Sequence, residues 1–118
     1  MKWLLSIALL TSSCAASWGK EPFAIAGLGT GSCAEFVRVN PTDKSAEGMA
    51  VLSWAQGFMS GMNMLHMAHK EPLRDLGEAT PKAQLAFLLN YCDKNQLHDL
   101  VRATLSLYGA LPEIPQKD

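Results

Sequence analysis

Ser32-Cys33-Ala34-Glu35-Phe36-Val37-Arg38-Val39-Asn40-Pro41 reads as a short helix with both ends marked. Ser32 followed three residues later by Glu35 is a capping box, in which the two side chains satisfy amides that a first helical turn leaves without partners. Pro41 closes the segment, because a residue before proline is pushed out of the helical region. Cys33 lies at the start of this helix, and Cys92 lies far downstream in a second helical segment. The fold turns on whether these two cysteines join.

The N-terminus answers by placing the chain in an oxidising compartment. Lys2, the apolar run Trp3 to Leu10 and the small residues Thr11, Ser12, Ser13, Ala15 and Ala16 make a secretory signal, read over residues 1–19 with cleavage between Ala15 and Gly19. Neither this run nor any later stretch reaches the roughly 20 apolar residues that span a bilayer. The expectation is an exported, periplasmic protein. The other reading of Leu10-Thr11-Ser12-Ser13-Cys14 is an imperfect lipobox, with Thr11 where a large aliphatic residue is preferred; lipidation of Cys14 would make the membrane a partner. In either case Cys33 and Cys92 remain, and two cysteines exported together are expected to pair. The closed loop of about 60 residues corresponds to roughly 4 kcal/mol of chain entropy.

Residues 20–118 are enough for one domain. From Ser17 onward nine Lys or Arg face eleven Asp or Glu, a net charge of −2, and the basic residues are scattered. That balance excludes a polybasic nucleic-acid or membrane binder. Residues 20–31, rich in Gly, Ala and Pro, read as a loosely held arm, and residues 112–118, with two prolines, as a loose tail.

Four helices and no strand are expected, an all-α fold built as a small bundle with one disulfide. The first is the segment above. A second starts near Ser45 and runs to about His69. A third follows Thr80-Pro81, an N-cap with proline at the first helical position, and leads through Leu85, Leu88 and Leu89 to Cys92. A fourth spans about Gln96 to Ala110, with Leu97, Leu100, Val101, Leu105 and Tyr108 at helical spacing.

In the second helix Val51, Trp54, Ala55, Phe58, Met62, Leu65 and His69 fall within one arc at 100° per residue, the expected core stripe. Ser53, Gln56, Ser60, Asn63, Met64 and Met67 lie elsewhere on the helix. Gly57 and Gly61 stand four apart on a flank, and each costs about 1 kcal/mol in a helix interior. The preferred reading is close helix packing within the monomer; the other is a partner's helix or loop docking there. Trp54, Gly57, Phe58, Gly61, Met62, Asn63, Met64 and Met67 are the candidate partner-binding residues.

Residues 59–69 hold four Met and two His, and thioethers with imidazole suit copper. Met59, Met62, His66 and His69 are successive helical neighbours and the candidate ligands; core and surface packing by methionine is the competing and preferred reading. A nucleophilic cysteine needs a free thiolate, which pairing removes. His98-Asp99 reads as a solvated helix face, and no triad, phosphate loop or zinc motif stands out. No catalytic residue and no cofactor are expected.

Cys33-Ala34-Glu35-Phe36-Val37-Arg38-Val39-Asn40-Pro41, with Asn90-Tyr91-Cys92-Asp93-Lys94-Asn95, resembles the HdeA/HdeB family of small periplasmic acid-stress chaperones. The middle, Trp54-Ala55-Gln56-Gly57-Phe58-Met59-Ser60-Gly61-Met62-Asn63, is similar to the Rap/Tai-type immunity proteins that block peptidoglycan amidases delivered by type VI secretion. The chain is longer between its cysteines than the chaperones, and Gln96 stands where a proline often follows Lys-Asn.

The chaperone resemblance implies a holdase for unfolding periplasmic clients, with a second copy as a further partner. Near pH 2 the mature chain would approach about +13, and self-repulsion would expose apolar helix faces such as that of Trp54, Phe58 and Met62. The immunity resemblance implies a rigid domain that plugs an amidase cleft. Its natural candidate is the charged connection Lys70 to Ala79, a loop on a rigid scaffold. Both expectations are of a non-enzymatic protein that works by protein–protein interaction.

Overall fold

The computed structural model describes residues 24–117. The signal read over residues 1–19, including Cys14, lies outside the described residues. Four helices carry the fold: α1 (Cys33–Val39), α2 (Ala46–Ala68), α3 (Pro81–Lys94) and α4 (Leu100–Ala110). A single 3-10 turn, Leu28–Thr30, precedes them, and two short strands, β1 (Leu73–Arg74) and β2 (Glu113–Ile114), pair antiparallel.

Local signals set most of the boundaries. Ser32 Oγ accepts from Glu35 N at 3.2 Å, which is half of the expected capping box. The reciprocal half is not made, because the Glu35 carboxylate pairs with Arg38 one turn on, with Arg38 Nε 2.8 Å from Oε2. Asn40 caps the end of α1 in the left-handed region at φ 45°, and the buried Pro41 follows. Thr80 Oγ1 accepts from Ala83 N at 3.2 Å, with Pro81 beginning α3.

The fourth helix begins later than its apolar spacing suggested. Asp99 is its N-cap and accepts from Arg102 N at 3.0 Å. Residues 96–98 serve α1 instead: Cys33 N donates to His98 O at 2.9 Å and Ala34 N to Gln96 O at 3.2 Å. Two amides that α1 cannot satisfy internally are thereby paired. Leu97, read as part of the apolar face, is 100% exposed in that turn.

Cys33 and Cys92 are joined, with Cα atoms 4.6 Å apart and both residues fully buried. Around them pack Phe36 of α1, Leu52, Ala55 and Met59 of α2, Leu85 and Leu88 of α3, and Ala103 and Leu107 of α4. The staple therefore sits inside the apolar core and ties α1 to the end of α3.

The buried face of α2 differs from the expected stripe. Gly48, Val51, Leu52, Ala55 and Met59 are buried, whereas Trp54, Phe58 and Met62 are half-buried and Leu65 and His69 are exposed. At 100° per residue the inward face is turned by about 70° from the predicted one. No charged residue occurs between Gly48 and Ala68, and apolar residues surround the helix, so periodicity alone leaves the choice of face open. Packing of α3 and α4 against α2 makes that choice.

Gly48 is the glycine of α2 at which backbones meet. A Cβ there would overlap the Thr42 carbonyl, which belongs to the turn entering the helix. Gly48→Ala is therefore expected to destabilise the protein by about 2 kcal/mol through overpacking, measured as a lower denaturation midpoint with an unchanged urea m-value. Gly57→Ala should do the opposite, raising stability by about 0.5–1 kcal/mol through helix propensity, because its Cβ would meet nothing within 4 Å.

Candidate partner-binding surface

Trp54 and Phe58 are one helical turn apart and stack with ring centroids 5.2 Å apart and planes inclined by 18°. Residues 24–30, expected as a loose arm, lie against this stack. Trp54 Nε1 donates to Ala26 O at 3.2 Å. Gly27 takes the left-handed region at φ 85°, and a Cβ on Gly29 would fall on the indole ring. Gly27 and Gly29 thus let the chain cross the indole face at contact distance.

Two hollows flank this crossing. One, of about 440 Å³, lies between α1 and the first turns of α2 and is lined chiefly by Leu28, Phe36, Val39, Ala50, Val51 and Leu100. The other, also about 440 Å³, is lined by Ala24, Ile25, Ala26, Ser53, Trp54, Gly57 and Phe58. Leu28 is 45% exposed and Ile25 36%.

Gly57 and Gly61 do not approach another helix of the monomer: a Cβ at either meets no atom within 4 Å. This corrects the preferred reading of close packing, since α3 and α4 lie on the other side of α2. Beyond them Met64 is 64% exposed, Leu65 53% and Met67 48%, and no Asp, Glu, Lys or Arg follows Glu47 in α2. From Gly57 to Met67 an uncharged helix surface about 15 Å long, at 1.5 Å per residue, is thereby left to solvent.

Asn63, a candidate partner residue, is committed internally. Its Oδ1 accepts from Arg74 N and from Tyr108 Oη, each at 2.9 Å, and its Nδ2 donates to Arg74 O at 2.9 Å. Arg74 Nη1 then donates to Leu111 O at 2.9 Å, and its guanidinium pairs with Glu113 at 3.3 Å. Burial pushes the Tyr108 phenol above its ordinary value, opposed by the charge of Arg74 and reinforced by Glu71. The tail expected to be loose is drawn in by the same network: Asp75 N donates to Pro112 O at 2.9 Å, and Gln116 Nε2 to His66 O at 3.2 Å. Residues 70–79 are thus braced from α2, α4 and the tail; Asp75 Oδ1 accepts from Gly77 N within the turn at 3.0 Å, and the Glu71 carboxylate lies 3.6 Å from His66 Nδ1.

The Met and His residues divide. Met59 is fully buried in the core, Met62 is half-buried against it, and His69 is exposed at the end of α2. His66 Nδ1 lies 3.1 Å from Pro72 O, and its ring meets Tyr108 edge-on at 5.8 Å. Met59 and His69 are ten residues apart on one helix, about 15 Å along its axis, too far to share one ion. Met59, Met62 and His66 serve packing and loop bracing. Among the described residues, no three His, Cys, Asp or Glu side chains gather into a metal-binding group.

Two exposed carboxylates, Glu35 and Glu47, line the first hollow, and Glu35 pairs with the exposed Arg38. The hydrogen bond from Arg38 holds the Glu35 carboxyl below its ordinary 4.5. A lowered folded value means the pair's contribution is complete above the ordinary carboxylate range and is lost as pH falls through the lowered one. Arg38→Ala is expected to raise the Glu35 midpoint in an NMR pH titration; an unchanged midpoint would show that the pair does not persist in solution.

Sequence reasoning missed Ile25 and Leu28 because a Gly- and Ala-rich stretch carries no helical or strand period. The available signal was the Gly27-x-Gly29 spacing beside aliphatic residues, which suits close passage over a flat side chain. Among the described residues, no helix is long and apolar enough to cross a membrane. Compared with known protein families, characterised proteins and solved structures, the chain matches none.

Proposed function

We propose that this protein is an exported, non-enzymatic protein-binding domain that holds unfolding clients, in the manner of the HdeA/HdeB acid-stress chaperones. The observation that supports it is the uncharged surface of α2, where Met64, Leu65 and Met67 stand exposed beside the open flank of Gly57 and Gly61. Exposed apolar surface on this scale marks interaction sites, and methionine adapts to varied apolar partners. A buried disulfide keeps the bundle from dispersing when acid removes the carboxylate charges that pair with Arg38 and Arg74.

The test is aggregation of an acid-sensitive client protein at pH 2–3 and at pH 7, followed by light scattering, with a hydrophobic dye reporting exposed surface. Suppression and dye binding at acid pH alone support the reading. A protein that stays native in acid and protects nothing defeats it.

A second reading is favoured by the bracing of residues 70–79. A loop pinned by Asn63, Pro112 and Gln116 suits a rigid inhibitory plug, as in an amidase immunity protein. It calls for stoichiometric inhibition of a peptidoglycan amidase that is lost when Asp75 and Glu78 are replaced by lysine. Unaltered inhibition by that variant would remove the loop from consideration.

A further inference from the structure

We propose that residues 25–29 form a displaceable strap, and that the trough beneath them receives a partner's peptide segment of the strap's own chemistry. This rests on the protein-binding reading and adds to it a second contact surface, on the N-terminal half of α2. Ala50, Val51, Ser53, Trp54 and Phe58 form a continuous surface of α2, yet they line two separate hollows. The strap is the ridge between them, with Leu28 walling one and Ile25 the other.

What holds the strap is slight. One side-chain hydrogen bond reaches it from α2, from Trp54 Nε1 to Ala26 O at 3.2 Å, and the remaining contact is apolar. Its only buried residue is Gly29. The firm anchor comes at its end, where Leu100 N donates to Gly31 O at 3.0 Å and the disulfide-bonded α1 follows. The strap can therefore leave the indole without disturbing the core.

The seated strap reports what the trough accepts. An aliphatic side chain lies on each side of the indole, a backbone carbonyl takes the indole N–H, and glycine crosses the ring where a Cβ would overlap it. A partner segment with aliphatic residues around glycine meets the same demands. Tethered beside its site, the strap competes at high effective concentration, so an external segment binds with the affinity reduced by the fraction of trough left open.

The test is calorimetric titration at neutral pH of a capped synthetic peptide, Ala-Ile-Ala-Gly-Leu-Gly-Thr-Gly, the sequence of residues 24–31. It is added to the wild-type protein and to Gly29→Ala, in which the new methyl falls on the indole and unseats the strap. The peptide is expected to bind the variant at least about tenfold more tightly than the wild type. A control peptide with alanine in place of both glycines facing the indole is expected to bind neither. Leu28→Asp, which puts a third carboxylate into the hollow lined by Glu35 and Glu47, provides a second release should Gly29→Ala lose its helical circular dichroism. Equal affinity for the wild type and the folded variants, or equal binding of the two peptides, overturns the proposal. No client is present, so a protein that binds the peptide but protects no client keeps this inference and loses the chaperone reading. One that protects clients and ignores the peptide does the reverse.

Discussion

Replacing Cys33 and Cys92 together by alanine is expected to lower the free energy of unfolding by about 4 kcal/mol, the chain-entropy value for a loop of this length. The two residues are 59 apart in sequence, and the bond joins the start of α1 to the end of α3. Without it the unfolded chain regains the freedom of everything between, which includes all of α2. Alanine also leaves space where two fully buried sulfurs stood against Phe36, Leu88 and Ala103. A domain of this size commonly has about 5–15 kcal/mol in total, so the loss is a large fraction of the whole. At about 4–8 °C per kcal/mol the midpoint falls by some 15–30 °C in a thermal scan. A fall of less than about 5 °C would show that helix packing alone holds the bundle. The same variant bears on the acid-holdase reading, because an opened chain without its staple would disperse instead of presenting a coherent apolar face.

Asn63→Ala is expected to cost about 3 kcal/mol, an unusual amount for a half-buried polar residue, since it removes three hydrogen bonds of roughly 0.5–1.5 kcal/mol and strands their partners. One carboxamide fixes both backbone groups of Arg74 and the phenol of Tyr108, so α2, β1 and α4 meet at a single side chain. The Arg74 amide would lose its acceptor and exchange with solvent far faster than in the wild type, which hydrogen-exchange NMR reads directly. Tyr108→Phe should cost about 1 kcal/mol, and the double variant less than the two together, because they share a bond. Strict additivity, or unaltered exchange at Arg74, would show that residues 70–79 are braced from elsewhere. The variant also separates the two functional readings: freeing this loop should impair a plug that depends on rigidity and leave a holdase on α2 unaffected.

Much of the fold was legible because its signals are local. Ser32, Asn40-Pro41, Ser45 and Thr80-Pro81 mark helix ends through bonds and steric limits that span only a few residues, and the structure places ends there. The start of α4 was misplaced because Gln96 and His98 spend their carbonyls on α1, a commitment written in three dimensions. Asn63 read as a candidate contact for a partner, since its own stretch of helix offers no hint of Arg74 or Tyr108. The roles of the glycines were likewise inverted. Gly57 and Gly61 looked crowded and are open, while Gly29 and Gly48, to which no packing role was given, are where a Cβ would collide.

What the amino-acid order decided by itself was a bundle of helices closed by a pair of cysteines, because caps, prolines and thiols act through neighbours and through covalent chemistry. Which side of α2 turns inward, and that residues 24–30 lie over Trp54, were decided only in the tertiary structure. A helix with no charge from Gly48 to Ala68 is nearly indifferent to its own rotation. The choice falls to the shapes of α3 and α4, and the aromatic surface they leave uncovered is what Gly27 and Gly29 are small enough to cross.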